Sequence, residues 1–115
     1  MYNGSRPSKA LRFFDAYLAR DLGAAGVRAD LVAAGPLRTR AASGIPGFVV
    51  LVYRWNREAP PTWDPTDACA VADAICFLLS DLVRAINGEA LHVDGGVHAM
   101  ATCLRDSSVE ALGKT

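Results

Sequence analysis

The sequence predicts an α/β fold built on a parallel sheet, in the order helix, strand, irregular insertion, helix, strand. Three observations carry that prediction. Apolar residues recur at three- and four-residue spacings in two stretches, 8–22 and 65–82, as amphipathic helices require. Two short apolar runs, 27–34 and 90–94, are closed by glycine or proline and read as strands. A helix separates those runs, and strands joined through a helix pair in parallel by a right-handed crossover.

Composition bounds the rest. The 115 residues suit one domain, and 51% apolar content excludes a chain that stays disordered. Twelve basic and twelve acidic side chains give zero formal charge, so the chain has no electrostatic footprint for nucleic acid or anionic lipid. No apolar run approaches the roughly 20 residues needed to span a bilayer, and no signal-peptide pattern opens the chain. A cytoplasmic protein is expected. Cys69, Cys76 and Cys103 are too scattered for a disulfide framework; the first two share a helix face and read as small buried residues. With neither CxxC nor HExxH present, no metal is expected.

Along the chain, Leu11, Phe14, Leu18 and Leu22 make the stripe of the first helix, which Gly23 and Gly26 end. The first strand, 27–34, runs into Gly35-Pro36. Phe48 to Tyr53 is open to two readings: strand by propensity, or a helical lid by its place between loops. Asp64 reads as the N-cap of the second helix, with Pro65 its first residue. Val71, Ile75, Leu78, Leu79 and Leu82 form that helix's core stripe. Asn87-Gly88 marks a turn before the second strand, which Gly95-Gly96 close. Trp55, Trp63 and Tyr53 read as core cover, His92 and His98 as structural, and Arg38 and Arg40 as solvated. The tail 101–115 has little pattern and reads as frayed.

Four segments in unbroken order carry a resemblance. They are Tyr2-Asn3 followed by Lys9; Val27 through Thr39; Leu78-Leu79-Ser80-Asp81; and Gly88-Glu89 through Asp94-Gly95-Gly96. Together they resemble the NADH-dependent enoyl-[acyl-carrier-protein] reductases of mycobacterial type, in the short-chain dehydrogenase/reductase superfamily. The match is to the C-terminal half of such an enzyme. It implies that residues 1–100 form the C-terminal half of a Rossmann-like doubly wound parallel sheet, with 40–63 as a substrate-loop insertion. The implied reaction reduces the trans-2 double bond of a fatty acyl thioester on acyl carrier protein, with NADH, in fatty acid biosynthesis. A homo-oligomer, tetrameric in such enzymes, is implied as well.

By the same resemblance, hydride goes to the β-carbon and Tyr2 hydrogen-bonds the thioester oxygen, where enolate charge develops. Lys9 would hold the nicotinamide ribose. Pro36, Leu37 and Thr39 match the loop that cradles the nicotinamide amide and pyrophosphate. Phe48 and Leu51 would line the acyl pocket, or pack as core. Short-chain reductases commonly place the lysine four residues after the tyrosine; here that position is Arg6. The seven-residue spacing to Lys9 favours enoyl reductase over ketoacyl reductase. An interior proline costs a helix roughly 3 kcal/mol, so a helix starting near Pro7 would leave Tyr2 ahead of it.

No Gly-rich strand-to-helix turn for a dinucleotide occurs in the chain. On its own the chain is therefore expected to be inactive. A second expectation stands beside the first: a non-catalytic remnant or interaction fragment, exposing the sheet edge that missing strands would cover.

Overall fold

Two four-residue strands run parallel in register, Leu31 opposite Ala90 and Ala34 opposite Val93. The computed structural model describes residues 9–58 and 62–100. Around the strands β1 (Leu31–Ala34) and β2 (Ala90–Val93) lie α1 (Lys9–Gly23), α2 (Arg40–Ser43), α3 (Phe48–Glu58), α4 (Cys69–Leu79) and α5 (Val97–Met100), with a 3₁₀ turn at Asp81–Val83. Tyr2, Arg6, Pro7, Cys103 and the tail 101–115 lie outside the described residues.

The first helix stops as its glycines predict. Gly26, at φ 75°, permits the Val27 N–H to reach Leu22 O (3.1 Å) and its own N–H to reach Gly23 O (3.0 Å). That pair of bonds satisfies the last carbonyls of the helix. Its predicted stripe, however, faces outward: Leu11, Phe14 and Leu22 are exposed, whereas Asp15 and Ala19 are buried. The reason is a close approach that only small side chains permit. Asn87 Nδ2 donates to Ala19 O (3.0 Å), and a Cβ on Gly88 would stand 3.2 Å from that of Ala19.

The first strand is shorter than its apolar run because residues 28–30 bond elsewhere. The Arg28 guanidinium donates to Leu78 O (2.7 Å), Ile86 O (3.2 Å) and Ser80 O (3.3 Å). The N–H of Ala29 donates to Asn87 Oδ1, and Asp30 Oδ1 accepts from Glu89 N–H. Arg28 thus fastens the end of α4 to the entry of β1.

The second helix begins later than its sequence signals suggest. Asp64 Oδ1 accepts from Thr66 N–H (2.8 Å) and Thr66 Oγ1 (2.6 Å), which closes a turn rather than capping a helix. Pro65 O is taken by Arg38 N–H, and Asp67 Oδ1 receives the N–H of Cys69, where α4 starts. The helix ends at Leu79, because Ser80 turns to extended backbone. Leu78 of the predicted stripe is buried and Val71 packs on the core, but Ile75, Leu79 and Leu82 are exposed. Cys69 and Cys76 are exposed too, against the expectation that they are buried.

The segment left open between strand and helix is the helix α3. Val52 and Trp55, one turn apart, are buried; Tyr53 points out and does not cover the core. Much of the expected irregular insertion is therefore helical. Trp55, Trp63 and Val97 form a buried cluster, with Leu37, Leu51, Val71 and Val93 packed on it. Trp63 sits across the carboxyl ends of both strands. A Cβ on Gly35 would lie 2.7 Å from Trp63 Cε2, and one on Gly95 (φ 67°) 2.7 Å from Trp63 Cβ.

Candidate functional site

Both strands deliver their loops to one end of the sheet, where open α/β folds bind ligands. After β1, the buried Pro36 and half-buried Leu37 lead to exposed Arg38 and Thr39. Extended backbone at Thr39 (φ −117°, ψ 163°) lets its Oγ1 accept from Ala42 N–H (3.1 Å), which caps α2. The short α2 then turns the chain so that α3 returns beside the loop. Between them lies a cavity of about 300 Å³ lined by Arg38, Thr39, Ser43, Phe48, Val49 and Val52.

That cavity joins Thr39, expected by resemblance on the cofactor side, and Phe48, expected on the acyl side or as core. One wall is apolar (Phe48, Val49, Val52); the other carries a guanidinium and two hydroxyls. Leu37 and Leu51 instead pack on the tryptophan cluster, with Pro36 buried behind the loop. Lys9 opens the described part of α1 and is exposed. Tyr2 lies outside the described residues. Asp64, near Arg38, is held below the ordinary carboxylate range by the hydrogen bond from Thr66 Oγ1, then by Thr66 N–H and the Arg38 charge. The Asp64 charge thus stands near the Arg38 guanidinium.

The loop after β2 contains an arrangement that sequence reasoning missed. Asp94 is 1% exposed, and its carboxylate accepts from Gly96 N–H (2.9 Å) and His98 N–H (3.0 Å). His98 Nδ1 lies 3.0 Å from the same carboxylate, and the His98 ring stacks on His92 at 3.9 Å. The signal was present: an aspartate two and four residues ahead of N–H groups at a helix start is a capping pattern. Here it locks the Gly95-Gly96 turn beneath Trp63. Among the described residues, no group of three His, Cys, Asp or Glu could hold a metal, and no helix is long and apolar enough to cross a membrane.

Comparison with known proteins matches both ends of this site. A model of the family Enoyl-(Acyl carrier protein) reductase matches residues 2–98. The NADH-dependent enoyl-[acyl-carrier-protein] reductase of Mycolicibacterium smegmatis is 39% identical over 106 residues, covering 83% of this chain and 39% of the relative. FabI, the NADH-dependent enzyme of Bacillus subtilis, is 42% identical over 87 residues, 74% of this chain and 33% of its own. A crystal structure of the Bacillus cereus enoyl-acyl carrier protein reductase with NADP+ and indole naphthyridinone superposes with TM-score 0.69 at 39% identity. It covers 78% of this chain and 35% of that one. The chain spans about 40% or less of the length of these relatives. The likeness holds in sequence, over residues 2–98, and in fold: the chain belongs to the enoyl-(acyl carrier protein) reductase family.

Proposed function

We propose that this chain carries the acyl-side portion of an NADH-dependent enoyl-[acyl-carrier-protein] reductase, acting on trans-2-enoyl thioesters in fatty acid biosynthesis. One observation carries the reading. Thr39 and Phe48, expected on the cofactor and acyl sides, line a single cavity beyond the carboxyl end of β1. A cation and hydroxyls beside an apolar wall suit a ligand with an anionic part and a hydrocarbon part.

Residues 1–100 form the reductase portion, and the α2–α3 segment within 40–63 is its acyl-side insertion. NAD(H) supplies the hydride when bound; Pro36, Leu37 and Thr39 would shape its nicotinamide end, and the Lys9 ammonium would bind ribose hydroxyls. Tyr2 donates a hydrogen bond to the thioester oxygen, stabilising charge that appears only in the transition state. Phe48 contacts the acyl chain, while Leu51 supports that wall from the core and the apolar surface excludes water. The partner is acyl carrier protein, and the working form is a homo-oligomer.

A chimera tests this. Residues 2–98 replace the matching stretch of the M. smegmatis reductase, and NADH oxidation with a trans-2-enoyl thioester is followed at 340 nm. Turnover is expected, falling on Tyr2→Phe and on Lys9→Ala. A folded chimera that binds NADH but never oxidises it would sink the proposal.

A further inference from the structure

We infer that the exposed face of α3 seats the protein on an anionic lipid surface. The aliphatic start of the helix enters the leaflet, and the arginines at its end stay among the headgroups.

Burial divides α3 into two sides. Val52 and Trp55 are buried, and Leu51 packs on the tryptophan cluster. The opposite side carries two adjacent lines of side chains, Val49, Tyr53 and Arg57 on one and Val50 and Arg54 on the other, each spaced by four residues. All five are exposed, Val49 at 77% and Val50 at 62%. Ile45 is exposed as well, in the turn whose carbonyl accepts from Phe48 N–H (3.2 Å). Apolar surface gathered in this way marks an interaction site.

Charge is placed unevenly, although the chain as a whole has none and predicts no attraction to anionic lipid. From Leu31 to Trp63 the charged side chains are Arg38, Arg40, Arg54, Arg57 and a single acid, Glu58. Arg38 stands near Asp64. The exposed Arg40 on α2 and Arg54 and Arg57 on α3 still outnumber Glu58. Each arginine held near an anionic leaflet adds to the attraction.

The order of side chains along the helix names the occupant. Ile45, Val49 and Val50 lie at its start, Tyr53 follows, and Arg54 and Arg57 come last, with the Arg57 guanidinium 6.0 Å over the Tyr53 ring. Val49 to Arg57 spans about 12 Å at the rise of an α-helix. A tilted α3 therefore passes from aliphatic through aromatic to cationic as a leaflet passes from acyl chains to headgroups. An acidic protein would match the arginines but set its polar surface against Ile45, Val49 and Val50. A second copy would set Arg54 and Arg57 against its partner's valines if the two helices ran antiparallel, and against its arginines if they ran parallel. Val49 also lines the Thr39 cavity, so the seated helix brings that cavity beside the acyl layer.

The test sediments the full chain, without NADH or thioester, with vesicles of phosphatidylcholine alone and with vesicles containing about one-third phosphatidylglycerol. Binding about tenfold tighter to the mixed vesicles is expected, weakened about tenfold in roughly 0.5 M salt. Val50→Glu, at an exposed position outside the Thr39 cavity, lowers binding to mixed vesicles about tenfold or more and leaves helix content unchanged. Arg54→Gln combined with Arg57→Gln removes the preference for anionic vesicles. Leu79→Glu, which alters an exposed apolar side chain on α4, leaves binding as it was.

No sedimentation with the mixed vesicles overturns the inference. Equal losses from Val50→Glu and Leu79→Glu overturn it too, because any apolar side chain would then serve. Binding that survives Val50→Glu but not the paired arginine changes, and that poly-glutamate displaces, assigns the face to an acidic protein instead. A dimer's mass by light scattering, reduced to a monomer's by Val50→Glu, gives the face to a second copy and equally overturns the lipid seat.

Discussion

Gly35→Ala is the sharpest probe of how Trp63 joins the two strand ends. Gly35 does not need a positive φ, so alanine meets no backbone strain there. The penalty is contact. The new Cβ would stand 2.7, 2.8 and 3.1 Å from three indole atoms, where ordinary contact begins at 3.4 Å, so the ring must retreat by about 0.7 Å. It has little room to move: Trp63 is 7% exposed, packs with Trp55 and Val97, and is met at its Cβ and backbone N by Gly95. Overpacking of this kind costs about 1–3 kcal/mol. Restricting the unfolded chain returns about 0.4–1 kcal/mol. The net expectation is a loss of up to about 2.6 kcal/mol, read by urea unfolding followed by far-ultraviolet circular dichroism. In a Trp63→Leu background the clash disappears, and Gly35→Ala becomes neutral or slightly stabilising. An equal loss in both backgrounds would refute the assignment to Trp63.

Two further outcomes follow from buried or bridging charges. Asp15 on α1 has its pKa raised from 3.8, first by burial and then by the charges of Asp30 and Glu89. Folding is therefore favoured while Asp15 is protonated, and this contribution fades as pH rises through the raised value. Asp15→Asn should raise Tm at pH 7, with a gain that shrinks to nothing below pH 3.8; an equal gain at pH 7 and pH 3 would reject the burial argument. Arg28→Met keeps the aliphatic stem but leaves the carbonyls of Leu78, Ser80 and Ile86 without their shared donor. A loss on the order of 3 kcal/mol in urea unfolding is expected, partly recovered by Arg28→Lys; a change within about 0.5 kcal/mol would show that water replaces the guanidinium.

Local chemistry was legible where a few adjacent residues decide it. Gly26 announces its helix end, Asn87-Gly88 its turn, and two short runs between breakers their strands. Reading failed where a distant partner decides. Periodicity finds the apolar stripe of α1 but not that small Ala19 lies against the Gly88 turn. Asp64 and Pro65 look like a helix start until Arg38, far away in sequence, takes the proline carbonyl. Within the candidate site, the resemblance singles out Thr39 and Phe48, and both line one cavity. Leu51, from the same run as Phe48, packs on the tryptophan cluster instead, on the side of α3 that it shares with Trp55 four residues later. Arg28 and Asp94 lie in the segments that carry the resemblance but have no role read from sequence: a charge in an apolar run and an aspartate before glycines gain meaning only from the carbonyls and N–H groups they meet.

The strand pairing has a consequence for synthesis. Each β1 residue pairs with a partner 59 positions later. At roughly 5–20 residues per second, β1 leaves the ribosome about 3–12 seconds before β2 exists. During that interval the helices between them can form, but the edge of Leu31–Ala34 that β2 will cover has not yet met its partner. The nascent protein therefore passes through a period in which the β2-facing edge of β1 is open to other chains. Chaperone capture, co-translational assembly and aggregation compete for that strand before its own partner is made.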